Sequence, residues 1–200
     1  MARHRGFDET AVLDAAVAEF RVHGFADTST EQLCDAAGVR RSSLYNTFES
    51  KDRLFVRALE RYIETTGAAQ AAVLEDVELD GMGRLRGVID LIISEEDAAA
   101  AEGHAAGCMV VGSRMTPDVQ DRDERVERLL DRSLDRQLSL LSQAIAVGQR
   151  DGTVRSAVPP REGAQLVVSI ISGTRVLAQS GMRPEELRRV AMLGLDALRP

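Results

Sequence analysis

An all-α fold is what this sequence predicts, and three observations carry the prediction. Ala, Leu, Arg and Glu are abundant, while β-branched residues are sparse and aromatics make up only 4% of the 200 residues, a balance that favours helix over sheet. Apolar residues recur at i, i+3, i+4 and i+7 through most of the chain, the mark of a helix with one buried stripe. No alternating period-2 run flanked by hairpin turns occurs, and no internal repeat of fixed length. The length suits one large domain or two small ones, enough to bury a core without a staple. Two Cys and three scattered His leave no disulfide framework and no Cys- or His-built metal site. The first ten residues lack the apolar core of a secretory leader, and no run reaches the roughly 18 apolar residues of a spanning helix. A cytoplasmic, membrane-free protein is the expectation.

The first helix is predicted over about Glu9 to His23, capped by Asp8 and stopped by Gly24. Leu13, Ala16, Val17 and Phe20 form its apolar stripe. A second, short helix starts in the cluster Thr28-Ser29-Thr30, where Thr28–Glu31 and Ser29–Gln32 both have capping-box spacing. It ends at Gly38. A third short helix spans about Arg41 to Phe48 with Leu44 and Phe48 facing inward. Ser50 caps a long helix from about Lys51 that extends as far as Leu79. Further helices are expected over about Arg84 to Ala101, Ala105 to Arg114, Asp118 or Arg122 to Arg150, Arg161 to Ser180 and Pro184 to Leu198. Asp151-Gly152 and Pro159-Pro160 punctuate the last three.

Charge is unevenly distributed. The net charge of −7 argues against an anionic partner. Residues 1–61, however, carry 9 Lys+Arg against 10 Asp+Glu, leaving 16 against 22 for the remainder. From Val39 to Arg57 the cations Arg40, Arg41, Lys51, Arg53 and Arg57 face only Glu49 and Asp52. A local basic patch thus sits on an acidic protein, either as a binding surface or as an ordinary solvated helix face.

The segment TSTEQLCDAAGVRRSSLYNTFESK, Thr28 to Lys51, supplies the function. Two short helices joined by a tight turn at Gly38 make a helix-turn-helix, whose second helix fits the major groove of DNA. Hydroxyls and free amides at helix starts hold phosphate, and small polar side chains permit close approach to base edges. The segment resembles the DNA-binding domain of the tetracycline-repressor (TetR/AcrR) family of bacterial transcriptional regulators. The resemblance covers residues 8–60 and rests on Phe20, Gly24 and Phe25, Thr28-Ser29, Ala36-Ala37-Gly38-Val39, Ser43-Leu44-Tyr45, Phe48 and Ser50-Lys51.

It implies phosphate contacts from Thr28, Tyr45, Thr47 and Lys51, with Arg41, Ser42, Ser43 and Asn46 nearest the bases. Arg40 stands where many members have a capping Ser, and Thr47 where His is frequent. The alternative for Tyr45 is packing against the first helix. Arg3 and Arg5 form either an arm for the minor groove or an untethered tail. What the resemblance implies for the whole is a three-helix head over residues 1–52 and a helical ligand-binding and dimerisation body over 53–200. The protein would then be a homodimeric repressor, released from palindromic operator DNA by a small-molecule effector or by thiol modification.

Within the body, Tyr62, Leu91, Met109, Met115 and Leu138 are candidate pocket residues, with plain core packing as the alternative. Leu166, Ile170, Val176, Leu187, Leu193 and Leu195 offer apolar surface for a four-helix dimer contact, or else pack within the subunit. Gly107-Cys108-Met109-Val110-Val111 resembles a Gly-Cys-Leu-Leu-Val element of some family members. His104, four residues before Cys108, would activate the thiol if both share a helical face, making Cys108 a sensor; otherwise Cys108 is a small core residue. Cys34 reads as a buried, inert thiol.

No phosphate-binding loop, zinc-protease motif or nucleophile elbow is present. The adjacent acids Glu95-Glu96 and Glu185-Glu186 do not share a helical face. No catalytic residue, metal or cofactor is therefore expected. Two rivals stand beside the regulator: a ligand-responsive adaptor whose head no longer reads DNA, and a small helical enzyme.

Overall fold

The computed structural model describes residues 8–101, 107–116 and 123–200. All regular structure there is helical: α1 (Glu9–Asp27), α2 (Thr30–Ala37), α3 (Arg41–Phe48), α4 (Lys51–Leu74), α5 (Gly81–Ala101), α6 (Met109–Met115), α7 (Glu124–Asp151), α8 (Pro160–Gln179) and α9 (Pro184–Leu195), with a closing 3₁₀ turn at Asp196–Leu198. The expected Arg3–Arg5 arm, His104 and the start of the helix expected from Ala105 lie outside the described residues.

Helix edges follow local chemistry. Asp8 Oδ1 accepts the Thr10 and Ala11 amides at 2.9 and 3.3 Å and caps α1. Gly24, at φ 73° and ψ 178°, interrupts α1 where the helix was expected to stop, and one further turn runs on to Asp27. Of the two capping boxes, Ser29–Gln32 is the one formed: the Ser29 amide donates to Gln32 Oε1 at 2.8 Å, and the Gln32 amide to Ser29 Oγ at 3.1 Å. The long helix α4 stops five residues short of the expected Leu79. The Asp76 carboxylate accepts the Glu78 amide at 2.9 Å, an Asx turn that competes with helix. Arg84 then donates to the Leu74 and Leu79 carbonyls at 3.2 and 3.1 Å, closing that end.

By packing, the chain forms two compact units, residues 1–64 with 108–130 and residues 65–107 with 131–200. A functional division at residue 52 is thus a separate question from where contacts divide the chain. In the first unit Phe20, Leu33, Leu44, Phe48, Leu54 and Leu59 share one apolar cluster with Cys108, Met109 and Val126. The rings of Phe20 and Phe25 both meet Phe55 edge-on, at 5.0 and 5.1 Å between centroids. On the surface, α4 is tied to α1 by Arg61 on Asp14, a two-pronged contact at 2.5 and 2.9 Å, and by Arg57 on Glu9. At the start of α7, Asp123 accepts the amide and guanidinium of Arg125, which holds its carboxyl down to about 2.

The second unit has its core between α5 (Leu85, Ile89, Ile92), α7 (Leu141, Ile145), α8 (Val167, Ile171) and α9 (Leu187, Leu195). Leu187 and Leu195, expected as dimer surface, are buried within the subunit because they lie on the face of α9 that meets α5 and α8. Leu166, Val176 and Leu193 are exposed as expected, Ile170 is half-buried, and Val190 joins the exposed set. Inside this unit Arg175 is buried and donates to Glu96 at 2.5 Å and to Glu95 at 2.8 Å.

The start of α5 depends on a close approach. A Cβ on Gly81 would fall 2.2 Å from the backbone of Gly148. The Gly81 amide meanwhile donates to Asp151 Oδ2 at 2.8 Å and the Met82 amide to Thr153 Oγ1 at 3.1 Å, so the turn after α7 caps α5. Backbone cannot yield as a flexible side chain does. Gly81→Ala is expected to lower stability by about 2–3 kcal/mol, in the range of core overpacking, read as a fall in the midpoint of urea unfolding.

Candidate nucleic-acid interface

Helices α2 and α3 pack through Leu33 and Leu44, and the turn between them is fixed by Gly38 in the left-handed region at φ 63° and ψ 29°. The Val39 amide donates to the Cys34 carbonyl at 3.0 Å and the Gly38 amide to Asp35 at 3.2 Å, closing α2 as a Schellman-like stop. Along α3 only Leu44 and Phe48 are buried. Arg41, Ser42, Asn46 and Thr47 are exposed, and Ser43 and Tyr45 half-exposed. Arg40 occupies the N-cap in extended conformation with no side-chain cap, as its identity suggested.

The far end of α3 turns sharply. Glu49 has φ 66° and ψ −45°, and the Ser50 amide donates to the Phe48 carbonyl at 2.7 Å, a γ-turn of the rare, strained hand. Ser50 Oγ then accepts the Arg53 amide at 3.1 Å, so α4 starts at once and Lys51 stands in its first turn.

Seven of the eight side chains implied by the resemblance lie on α3 or at the start of α4; Thr28 does not join them. It is 1% exposed and its hydroxyl donates to the Gly24 carbonyl at 2.5 Å, which satisfies the break in α1. The residue that sequence reading missed is Thr30, at the first position of α2. Its hydroxyl pairs with the Tyr45 hydroxyl at 3.0 Å. No local pattern links positions 15 apart, so only the fold brings them together. Tyr45 therefore contacts α2 through its hydroxyl, and the Arg41 guanidinium lies over its ring at 5.5 Å.

The basic patch is thinner than the residue count. Arg53 pairs with Glu49 at 2.5 Å and Arg57 with Glu9. Lys51 lies over the Phe25 ring at 4.5 Å, with its ammonium 3.5 Å from the Ala26 carbonyl. Among the described residues, Arg40 and Arg41 carry no ion pair.

Other candidates sort by burial. Cys34 is buried, and desolvation followed by the Asp35 charge pushes its thiol up, in keeping with an inert core position. Cys108 is buried at the N-cap of α6 within the first unit's apolar cluster. Of the five pocket candidates, Tyr62, under the Arg21 guanidinium at 5.6 Å, and Met109 belong to the first unit's core. Leu138 belongs to the second unit's core, Leu91 is half-exposed, and Met115 is 78% exposed. Helical periodicity marks apolar positions without saying which border a void. A crevice of about 350 Å³ in the second unit is lined by Leu74, Glu75, Arg84, Leu140, Gln143 and Arg150, among others. Among the described residues no three His, Cys, Asp or Glu side chains cluster to hold a metal, and no helix is long and apolar enough to cross a membrane.

A family model for bacterial regulatory proteins, tetR family, matches residues 12–58. The chain is 27% identical over 191 residues to the HTH-type transcriptional repressor ComR of Escherichia coli (strain K12), spanning 94% of this chain and 88% of that protein. It is 26% identical over 157 residues to the repressor NemR of the same strain, 78% of this chain and 76% of that one. Among solved structures, a cysteine mutant of the TetR family transcriptional regulator CifR, complexed with 26bp double-strand operator DNA, superposes with a TM-score of 0.82 at 25% identity. That match covers 98% of this chain and 100% of that one. Reduced E. coli NemR shares the fold, with a TM-score of 0.78 at 20% identity over 96% of this chain and 97% of its own.

Thr28→Val keeps side-chain volume but removes the hydroxyl that closes α1. It is expected to lower stability by about 1 kcal/mol, the usual net worth of one hydrogen bond. Denaturant unfolding checks this.

Proposed function

Because this chain belongs to the tetR family of bacterial regulatory proteins, we propose that it is a DNA-binding transcriptional regulator. In this reading it is a cytoplasmic, homodimeric repressor that occupies a palindromic operator and leaves it when a small molecule binds or a thiol is modified. The observation that carries the reading is α3, a short helix whose one buried edge, Leu44 and Phe48, leaves the rest of its surface polar and open. Tyr45, Thr47 and Lys51 hold phosphates, Thr30 takes the place first given to Thr28, and Arg41, Ser42, Ser43 and Asn46 face the bases. The bare N-terminus of α3 adds amide donors toward the backbone of the duplex.

Residues 1–52 serve as the reading head and 53–200 as the ligand-binding and dimerisation part. Val176, Val190 and Leu193 expose 55%, 49% and 71% of their surface on α8 and α9, large apolar side chains that a second copy would cover. Two-fold symmetry then sets two copies of α3 roughly 34–36 Å apart, or a multiple of that, on a palindrome. Release requires an effector with unequal affinity for two head spacings, since equal affinity shifts nothing. The 350 Å³ crevice in the second unit is at the small end of the range for small-molecule sites. Cys108 is the candidate for the thiol route.

Selection of duplexes from a randomised pool by the full chain, followed by mobility-shift titration, tests the function. A palindromic consensus with steep salt dependence is expected, because phosphate contacts release counterions. Lys51→Ala should weaken every duplex alike and shallow the salt slope by about 1, whereas Asn46→Ala should relax preference at one position by about 1–3 kcal/mol. Equal, small effects from both would overturn the assignment. Cys108→Ser should abolish release by a thiol reagent while leaving operator affinity intact; unchanged release removes Cys108 and leaves the noncovalent effector.

A further inference from the structure

A cation at the start of the reading helix either sits on phosphate, where it carries no sequence information, or reads a base. Arg40 and Arg41 are neighbours in sequence and differ in placement. Arg40 is the extended residue before α3, exposed and uncapped. Arg41 is the first residue of the helix proper, where recognition helices present side chains to base edges. It is exposed, has no ion pair among the described residues, and its guanidinium rests over the Tyr45 ring at 5.5 Å. That ring is itself held: the Tyr45 hydroxyl meets Thr30 at 3.0 Å, and Leu44, the preceding residue, is fully packed. Arg41 therefore lies on a shelf whose edge is fastened to α2.

Such a shelf matters for a planar fork more than for a point charge. An arginine that stacks on an aromatic face has fewer rotamers to lose on binding and presents its donors in one plane. Guanine alone offers two acceptors, O6 and N7, side by side on the major-groove edge, and the two-pronged contact of arginine with them is the commonest specific one. The neighbouring outward positions, Ser42 and Asn46, are shorter than Arg41 and neutral, so neither offers the planar charged fork that matches guanine's paired acceptors.

We propose that Arg41 reads a guanine in each operator half-site, with Tyr45 as the positioning residue that holds the guanidinium in plane. This rests on the DNA-binding reading above and adds the identity of a base. One G·C pair per half-site carries the preference, and its loss on Arg41 substitution is specific to that pair. Arg40 contributes to phosphate affinity alone.

The experiment uses the full-length dimer and a consensus duplex taken from a selected pool. Each base pair of both half-sites is substituted in turn, and dissociation constants are measured at fixed salt. In the wild type, replacing the proposed guanine is expected to weaken binding by roughly 5- to 150-fold, the range for one two-pronged base contact. Arg41→Ala removes the fork and should flatten that position to within about 2-fold while other positions keep their profile, whereas Arg41→Lys, whose ammonium can still meet the guanine acceptors, should keep only part of the preference. Tyr45→Phe keeps the ring and should retain the guanine preference although overall affinity falls. Tyr45→Leu removes the shelf and should reduce the preference at that pair, with Arg40→Ala lowering affinity evenly. If Arg41→Ala weakens all duplexes equally and the guanine profile survives, Arg41 is a phosphate contact and the inference is overturned. A wild-type consensus with no conserved guanine overturns it too, while leaving the regulator intact. A wild-type chain that selects no duplex overturns the regulator reading, and this inference with it.

Discussion

Leu44 and Phe48, each 2% exposed, are four residues apart on a helix only eight residues long. A helix of that length has no stability of its own in water, and α3 lacks a side-chain cap at Arg40. Its existence depends on burial of these two side chains in the apolar cluster shared with Leu33, Phe20 and Leu54. Everything on its open side follows from that one anchoring edge. Ser42 and Asn46 lie opposite it by helical geometry, and Arg41 with Tyr45 takes the flank toward α2. The strained turn at Glu49 is the cost of ending α3 after two turns and starting α4 at Lys51, which places that cation beside α3.

Electrostatics acts at short range around this edge. The basic run that interrupts an acidic sequence is reduced once Glu49 and Glu9 engage Arg53 and Arg57. Exposed pairs of this kind are worth little in stability, in the range of 0–1 kcal/mol, but they remove two cations from the far field. A protein with net charge −7 has no long-range attraction to a polyanion to draw on. Its affinity must come from few, well-placed contacts within a Debye length of the duplex. That favours sequence discrimination over non-specific sliding affinity.

Helix edges were legible because they are written locally. Gly24, Ser29 with Gln32, Gly38, Ser50 and the Asp151-Gly152 stop each act within four residues, and each appears where the sequence places it. The end of α4 was not, since an Asx turn at Asp76 and the reach of Arg84 back to Leu74 override a periodicity that continues past them. The candidate interface divides in the same way. Its α3 residues follow from one helical wheel, whereas the burial of Thr28 on the Gly24 carbonyl and the pairing of Thr30 with Tyr45 depend on how the helices come together. The pocket candidates are less legible for a related reason: Tyr62, Met109 and Leu138 look alike in an amphipathic pattern whether they line a void or fill one.

Glu95, Glu96 and Arg175 show how a reading limited to one helix misses a tertiary role. Adjacent acids on α5 do not share a helical face, yet a guanidinium has two forks, and Arg175 of α8 reaches both. Burying Arg175 and Glu96, with Glu95 half-buried beside them, is costly, and an apolar replacement of equal volume is commonly as stable. The two contacts join α8 to α5 at one place on each helix, Arg175 on one side and Glu95-Glu96 on the other. Val176, the next residue along, points outward with 55% of its surface exposed. The same helix thus carries buried polarity on its inner side and an exposed apolar side chain on its outer side.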